Sequence, residues 1–223
     1  MKLVILQQPK AARACGLGER DRRVIDPPPI LRLCLDNYDP LSQADRNLLK
    51  SSYNVTSCHL ISAPDESSRQ HGQDVSTVND PTDSQRQLRR LMGQLIANPF
   101  ITKDLQSEDE DMPEEARIGS YYIFSDLSCR QPGRFKLRFM LMPMDVATIP
   151  VGGRAETAHV VESDEFTVHS AKDFPGMLPS SELTKKLRAL GAMVPIKKGN
   201  EGRKRAGNKK KSSDNSEGSG NET

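Results

Sequence analysis

The sequence predicts a mostly β protein, an antiparallel sandwich of two sheets with one or two short helices. The clearest observation is the strict alternation over residues 134–142, which indicates a strand with one buried and one solvated face. Short apolar runs recur along the chain between Gly, Pro, Asn and Asp residues. A complete helix signal occurs near residue 181 alone. Many short strands at irregular spacing are typical of a sandwich.

Six further strands are predicted in addition to 134–142. They cover residues 3–6, 31–35, 53–60, 121–124, 159–161 and 166–168. The tetrapeptide RQPG at 130–133 reads as a turn with Pro132 and Gly133 at its centre. Residues 121–142 are therefore predicted to form a hairpin that supplies the centre of the core.

The helix near the end of the sequence has a cap, an apolar face and a stop signal. Ser180 or Ser181 caps its start, and Gly191 is placed to end it. Its apolar face consists of Leu183, Leu187 and Leu190. Packing of this face on the sandwich is favoured over binding of a partner. A second helical spacing at 88–95 is interrupted by Gly93, so that segment is left ambiguous between helix and strand.

Composition divides the chain into one domain and a tail. The chain has 223 residues, and its hydrophobic share of 35% is below the usual globular share. We predict a domain over residues 1–198, interrupted by a variable, partly disordered insertion at about 62–118. Residues 199–223 form a basic and then polar tail that cannot build a core. The acidic run at 108–111 is typical of a solvated face, and one hypothesis is that it shields a basic surface.

Several classes of function are disfavoured by the motifs. The cysteines at 15, 34, 58 and 129 form no C-x-x-C pair, and the opening MKLVILQQP lacks a secretory pattern, so a reducing intracellular location is expected. No apolar run approaches the length of a membrane span. The histidines at 59, 71, 159 and 169 have no zinc-ligand spacing, and P-loop and G-x-S-x-G motifs are missing. We therefore expect no enzyme, metal, cofactor, membrane contact or small-molecule substrate.

The most informative stretch is LQQPKAARACGLGERDRRVIDPPPILRLCL at residues 6–35. Arginines follow one another in a segment with Gly16 and Gly18, and three prolines then force an extended exit. Arginine forks suit phosphate oxygens and guanine edges, so a basic loop of this kind is a candidate reader of double-stranded DNA. A solvated surface loop, with Glu19 and Asp21 cancelling part of the charge, is the alternative.

Three blocks in the sequence resemble the velvet domain of fungal developmental regulators. The first contains QQP, AR-CG-GE-DRR and IDPPP. The second is GSYYIFSDLSCRQPGRFKLRF at 119–139, and the third is EFTVHSAKDFPGMLPSSELTKKLRALGAMVPIKK at 165–198. The resemblance implies an immunoglobulin-like sandwich similar to the DNA-binding domains of Rel-type transcription factors. It also implies a nuclear protein that forms homodimers or heterodimers with other velvet proteins.

The same resemblance identifies candidate DNA contacts. The basic positions of the family directly before IDPPP fall on Arg20, Arg22 and Arg23, with leading roles for Arg22 and Arg23, while Gly18 replaces one basic residue. Arg13 and Lys10 can add charge from the neighbouring turn. The implied function is a sequence-selective DNA-binding transcriptional regulator in development, sporulation and secondary metabolism. The alternatives are a dimerising adaptor with little DNA contact of its own and a non-specific nucleic-acid binder.

The tail carries two basic clusters that suit recognition by a nuclear import receptor. They consist of Arg203, Lys204 and Arg205, and of Lys209, Lys210 and Lys211. The sequence therefore predicts a nuclear location with a further cytoplasmic pool. A purely solubilising tail is the alternative.

Overall fold

The chain folds into two facing β-sheets that enclose a common core. The computed structural model describes residues 1–16, 22–63, 72–80, 87–106, 116–144 and 156–198. Within these residues there are fourteen strands and two short helices. The predicted mostly β sandwich with one or two helices is confirmed.

The first sheet has four antiparallel strands. Their spatial order is β1 (Lys2–Gln7), β3 (Ile30–Cys34), β10 (Ile118–Ile123) and β9 (Phe100–Lys103). Every residue of β10 except Ile123 is buried, because one face of the strand meets the opposing sheet and the other lies under a helix.

The second sheet is built around the longest strand. Its spatial order is β2 (Ala11–Arg13), β14 (Phe166–His169), β12 (Gly133–Pro143), β4 (Asn54–Ser62) and β8 (Ile96–Ala97). A further strand, β13 (His159–Glu162), pairs with the second half of β12. All pairings are antiparallel except that of β2 with β14.

Two small two-stranded pairs lie beside the sandwich. One joins β5 (Thr77–Asn79) to β6 (Gln87–Arg89), and the other joins β7 (Leu91–Met92) to β11 (Ser128–Cys129).

The core follows the alternation seen in the sequence. Phe135, Leu137, Phe139 and Leu141 of β12 are buried, whereas the residues between them are exposed or half-buried. The Phe139 ring meets Phe124 at a centroid distance of 5.2 Å, in the tilted geometry that aromatic pairs prefer. All seven strands predicted from periodicity occur at the expected positions, with ends that differ by at most three residues.

The two helices have serine caps. In α1 (Gln43–Lys50) the Ser42 hydroxyl accepts from Asp45 N, and in α2 (Glu182–Ala189) the Ser181 hydroxyl accepts from Thr184 N. Leu187 of α2 is fully buried against the outer face of the first sheet. Neither helix has the length and apolarity needed to cross a membrane, which applies to the part of the chain that the structure describes.

Helix α2 is the helix predicted from the sequence, and α1 was missed. Gly191 follows α2 with a φ of +100°, a conformation that only glycine adopts without strain, so it ends the helix as expected. Leu183 is half-buried, whereas Leu190 is 44% exposed, so the predicted apolar face is not buried along its whole length.

The predicted hairpin over residues 121–142 is wrong. Strand β10 belongs to the first sheet and β12 to the second. The chain leaves the first sheet after Ile123, pairs through β11 with β7, and only then enters the second sheet. The RQPG turn is therefore part of a crossover between sheets, because β11 takes β7 as its partner instead of extending β10.

The stretch 62–118, interpreted as an insertion, contributes five short strands, β5 to β9. Leu91, Ala97 and Ile118 from this stretch are buried in the core cluster. The segment 88–95 is resolved as strand and turn rather than helix, with Gly93 at φ +108°. Variability of the stretch among relatives stays a prediction.

Candidate nucleic-acid interface

Several chain segments converge at one end of the sandwich, where β12 begins and β14 ends. Residues 14–16, 128–131 and 89–92 run side by side there, and we call these three segments the end platform. On one side of it, Cys15 N donates to Cys129 O at 3.0 Å and Gly16 N to Arg130 O at 3.0 Å. On the other side, Arg130 N donates to Arg90 O at 3.0 Å. Backbone hydrogen bonds thus fix the three segments of the end platform to one another.

Arg22 lies on this platform. Its Nε donates to Ser128 Oγ at 3.1 Å and its Nη2 donates to Asp126 O at 2.9 Å. The residue is exposed, and these bonds use two of the five N–H donors of the guanidinium. The side chain is oriented by the protein and keeps donors for a further partner, as a phosphate-binding or base-reading arginine requires.

The other predicted contact residues are placed unequally. Arg23 is exposed next to Arg22, and Arg13 is half-buried at the end of β2, in register with His169. Lys10 is exposed but lies three residues before Arg13, so along a strand it is about 10 Å away. It lines a mostly apolar cleft of about 450 Å³ with residues 175–179, so the structure does not group it with Arg22. Arg20 lies outside the described residues.

Asp26 of the IDPPP signature anchors the base of the basic loop. Its backbone pairs with Ala11, and its carboxylate is only 3% exposed. One carboxylate oxygen accepts from Leu178 N, and the other accepts from Lys197 Nζ at 3.0 Å. Asp26 therefore ties the segment after β14 and the residues after α2 to the point where the loop rejoins the first sheet.

A second group of arginines on the platform was missed by sequence reasoning. The Arg130 guanidinium donates from Nε to Arg89 O at 2.9 Å and from Nη1 to Gly16 O at 3.2 Å. Arg90 donates to the Gln131 side chain at 3.0 Å and lies over the Phe135 ring at 5.8 Å, and burial lowers the pKa of its guanidinium. The only sequence signal was the basic pair at 89–90, inside the stretch that we interpreted as an insertion.

The platform carries an excess of positive charge. The platform and the adjoining residues 22–25 and 125–127 contain five arginines, at positions 22, 23, 89, 90 and 130, and within these ranges the single acid is Asp126. Arg13 precedes the platform at the end of β2. The Asp126 carboxylate accepts from Gln94 N at 2.9 Å. Several like charges on one surface create a positive potential that favours a polyanionic partner.

Thiol chemistry is not favoured at this end of the molecule. Cys129 is fully buried in the platform, and burial raises the pKa of its thiol to about 12. The half-buried Cys15 donates from Sγ to Cys129 O at 3.3 Å, and all four cysteines are free. A thiol with a raised pKa is a poor nucleophile and a poor metal ligand.

Two predicted features fall outside the described residues. The import clusters, Arg203 to Arg205 and Lys209 to Lys211, and the acidic run at 108–111 lie outside. Within the described ranges, no three His, Cys, Asp or Glu side chains are grouped so as to hold a metal ion.

Comparison with known proteins decides the family. The model of the velvet factor family matches residues 1–86 and 63–201, which overlap and together cover residues 1–201. The chain belongs to the velvet family. The family resemblance seen in the three sequence blocks is thereby confirmed.

Velvet relatives are regulators of development by name. The chain is 43% identical over 199 residues to the sexual development regulator VELC of Pyricularia oryzae, covering 89% of this chain and 41% of that protein. It is 42% identical to the spore development regulator vosA of Beauveria bassiana, covering 89% of this chain and 66% of that protein. It is 32% identical to the developmental and secondary metabolism regulator veA of Aspergillus fumigatus, covering 88% of this chain and 35% of that protein. The chain thus spans from about a third to two thirds of the length of these velvet proteins.

Proposed function

We propose that this velvet protein is a sequence-selective DNA-binding transcriptional regulator that acts as a homodimer or heterodimer in the nucleus. The observation that carries the proposal is the group of five arginines on and beside the end platform, where Arg22 is oriented by Ser128 and Asp126. Ordered arginines at one end of a rigid sandwich suit both phosphate contact and base reading in the major groove. The names of its velvet relatives support a role in sexual or spore development, with secondary metabolism as a further output.

Dimerisation doubles the basic surface. Each phosphate that an arginine neutralises contributes affinity that falls with salt, and a few such contacts give weak binding by one protomer. Two linked platforms add effective concentration without any new type of contact. The import clusters in the tail, Arg203 to Arg205 and Lys209 to Lys211, would bring the protein to the nucleus through an import receptor, with a further cytoplasmic pool.

The decisive experiment is DNA binding to a pool of genomic fragments over a range of salt concentrations. It compares the wild-type chain with the double variant Arg22→Ala/Arg23→Ala. A matched control is Lys50→Ala/Lys186→Ala, which removes the same charge from exposed positions on α1 and α2. We expect the wild type and the control to enrich one sequence. The double variant loses that enrichment and shows a slope of log affinity against log salt that is lower by about 1 to 2.

Equal enrichment by the double variant would contradict the proposal. A dimerising adaptor is the second candidate, and exposed apolar side chains after α2 favour it: Met193 is 88%, Ile196 47% and Leu190 44% exposed. A second velvet protein would then raise DNA affinity equally for the wild type and for the Arg22→Ala/Arg23→Ala variant. Binding without any sequence preference would indicate the non-specific binder.

A further inference from the structure

The end platform presents a further exposed arginine, Arg89, which comes from a distant part of the chain. Arg89 closes β6, and its backbone carbonyl accepts from the same Arg130 guanidinium that binds the carbonyl of Gly16. One side chain thus clamps residue 89 to residue 16, although 73 positions separate them (89 minus 16). A single guanidinium therefore fixes residues 16 and 89 relative to each other.

The hydrogen-bond ladder continues this connection across the platform. Cys129 lies opposite Leu91 and Ser128 opposite Met92 in the pairing of β11 with β7, and Ser128 is also the residue that orients Arg22. Hydrogen-bonded neighbours lie about 4.8 Å apart, so the outer segments 14–16 and 89–92 are about 10 Å apart. Each strand of a duplex carries one phosphate per about 3.4 Å of the helix axis, so a surface of this width spans about three phosphates of one strand.

The environment of Arg89 distinguishes it from its neighbour. Arg89 is exposed, and its guanidinium has no acceptor among the described residues. Arg90, by contrast, is half-buried, is bound to Gln131 and covers Phe135, so its role is to support the platform. The described acid of the platform, Asp126, already accepts from Gln94 N and Arg22 binds its backbone carbonyl. Arg89 therefore offers a guanidinium that binds no carboxylate among the described residues, on the same platform that carries Arg22.

We propose that Arg89 binds a phosphate of the same DNA duplex that the loop of Arg22 and Arg23 recognises. This contact comes from a second segment of the chain, the end of β6. Arg130 is the positioning residue that holds the two segments in a fixed relation. The inference rests on the proposed DNA-binding function and adds to it a contact that carries affinity but no sequence information, as phosphate contacts do. The region β6–β7 thereby gains a role in the interface.

The test measures both salt dependence and sequence preference for Arg89→Ala, Arg89→Lys and the control Lys186→Ala, with the duplex that the wild type enriches and a scrambled duplex. We expect Arg89→Ala to lower the slope of log affinity against log salt by about 0.9, for both duplexes alike. The ratio of the two affinities stays at the wild-type value. Arg89→Lys restores the slope because a lysine also neutralises a phosphate, and Lys186→Ala leaves it unchanged.

The outcomes separate this inference from the proposed function. If Arg22→Ala/Arg23→Ala abolishes enrichment while Arg89→Ala keeps the wild-type salt slope, the Arg89 contact is refuted and the proposed function stands. If the wild type shows no preference for any duplex, the proposed function itself fails. A fall in thermal stability of Arg89→Ala, with no change in slope for the folded protein, would show a structural role and would also overturn the inference.

Discussion

Asp26 illustrates how one buried side chain connects distant parts of this velvet domain. Its carboxylate is 3% exposed and binds both a backbone amide and the Lys197 ammonium, which is 19% exposed. Burial of a carboxylate is costly unless its oxygens are bonded, and here the bonds come from two segments near the end of the domain. The IDPPP signature therefore has a structural use, since it fastens the residues after β14 and after α2 to the base of the basic loop.

Replacing Asp26 by Ala should destabilise the fold. We expect Asp26→Ala to lower the free energy of unfolding by about 2 to 4 kcal/mol, because Leu178 N and Lys197 Nζ both lose a charged acceptor. Equilibrium unfolding in urea at neutral pH measures the change. The control is Asp36→Ala, whose carboxylate is exposed beside Lys2 and should matter little. Equal stability of Asp26→Ala and wild type would show that the bonds of the Asp26 carboxylate do not stabilise the fold.

At the scale of elements, periodicity identified strands but not their partners. The alternation in β12 depends on one face being buried, so it is visible in any window of that segment. The sequence of β10 does not indicate whether its partner is β12 or β3, because the same side chains suit either neighbour. The hairpin expected at 121–142 fails for this reason. The strands within 62–118 are only two to four residues long, which is too short for periodicity to reveal them.

The candidate site, like the fold, was predictable from the sequence only in part. Arg22 and Arg23 were identified because they adjoin a recognisable signature, and the structure places Arg22 on an ordered platform. Arg89 and Arg130 were missed, since only long-range pairing brings 89–92 beside 128–131. Lys10 was included because it is close in sequence to Arg13, although the direction of β2 carries it away from the platform.

Arg130 bridges the carbonyls of residues 16 and 89, and substitution of Arg130 tests whether this bridge matters for the platform. Arg130→Lys keeps the charge, but a lysine is a point donor and does not bridge two carbonyls as the guanidinium fork does. We expect a loss of about 1 to 2 kcal/mol in unfolding free energy. We also expect a larger loss of DNA affinity than for Arg89→Lys, because the segments at 16 and 89 are no longer held together. The measurements are urea unfolding and binding at fixed salt.

A wild-type affinity for Arg130→Lys would contradict this view of the platform. It would mean that positive charge near position 130 is sufficient and that the geometry of the two segments does not matter. Arg89→Lys serves as the matched control, because it makes the same chemical change at a side chain that bridges nothing among the described residues.

Across the whole molecule, basic residues are concentrated in two regions. The net charge of the chain is only +2, yet arginines gather on the end platform and basic residues gather again in the tail. The other end of the sandwich, where β12 finishes opposite Asn54, is next to α1, whose last residue Lys50 serves as a remote control position. The two basic regions match the two separate functions proposed above, recognition of DNA by the platform and import by the tail.

Truncation after Lys198 tests this division. The fourteen strands and two helices of the described residues form a core without any contribution from the tail, so we expect the shortened chain to fold and to enrich the same DNA sequence as the full chain. In cells, a fusion to a tandem fluorescent protein, large enough to slow passive diffusion, should accumulate in the nucleus only with the tail.

The matched variant replaces Arg203, Lys204, Arg205, Lys209, Lys210 and Lys211 by Ala in the full chain. It should stay in the cytoplasm and keep its DNA preference, since exposed clusters of this kind are read as import signals. Nuclear accumulation of the truncated fusion would place the import signal elsewhere, and loss of DNA preference on truncation would show that the tail takes part in recognition.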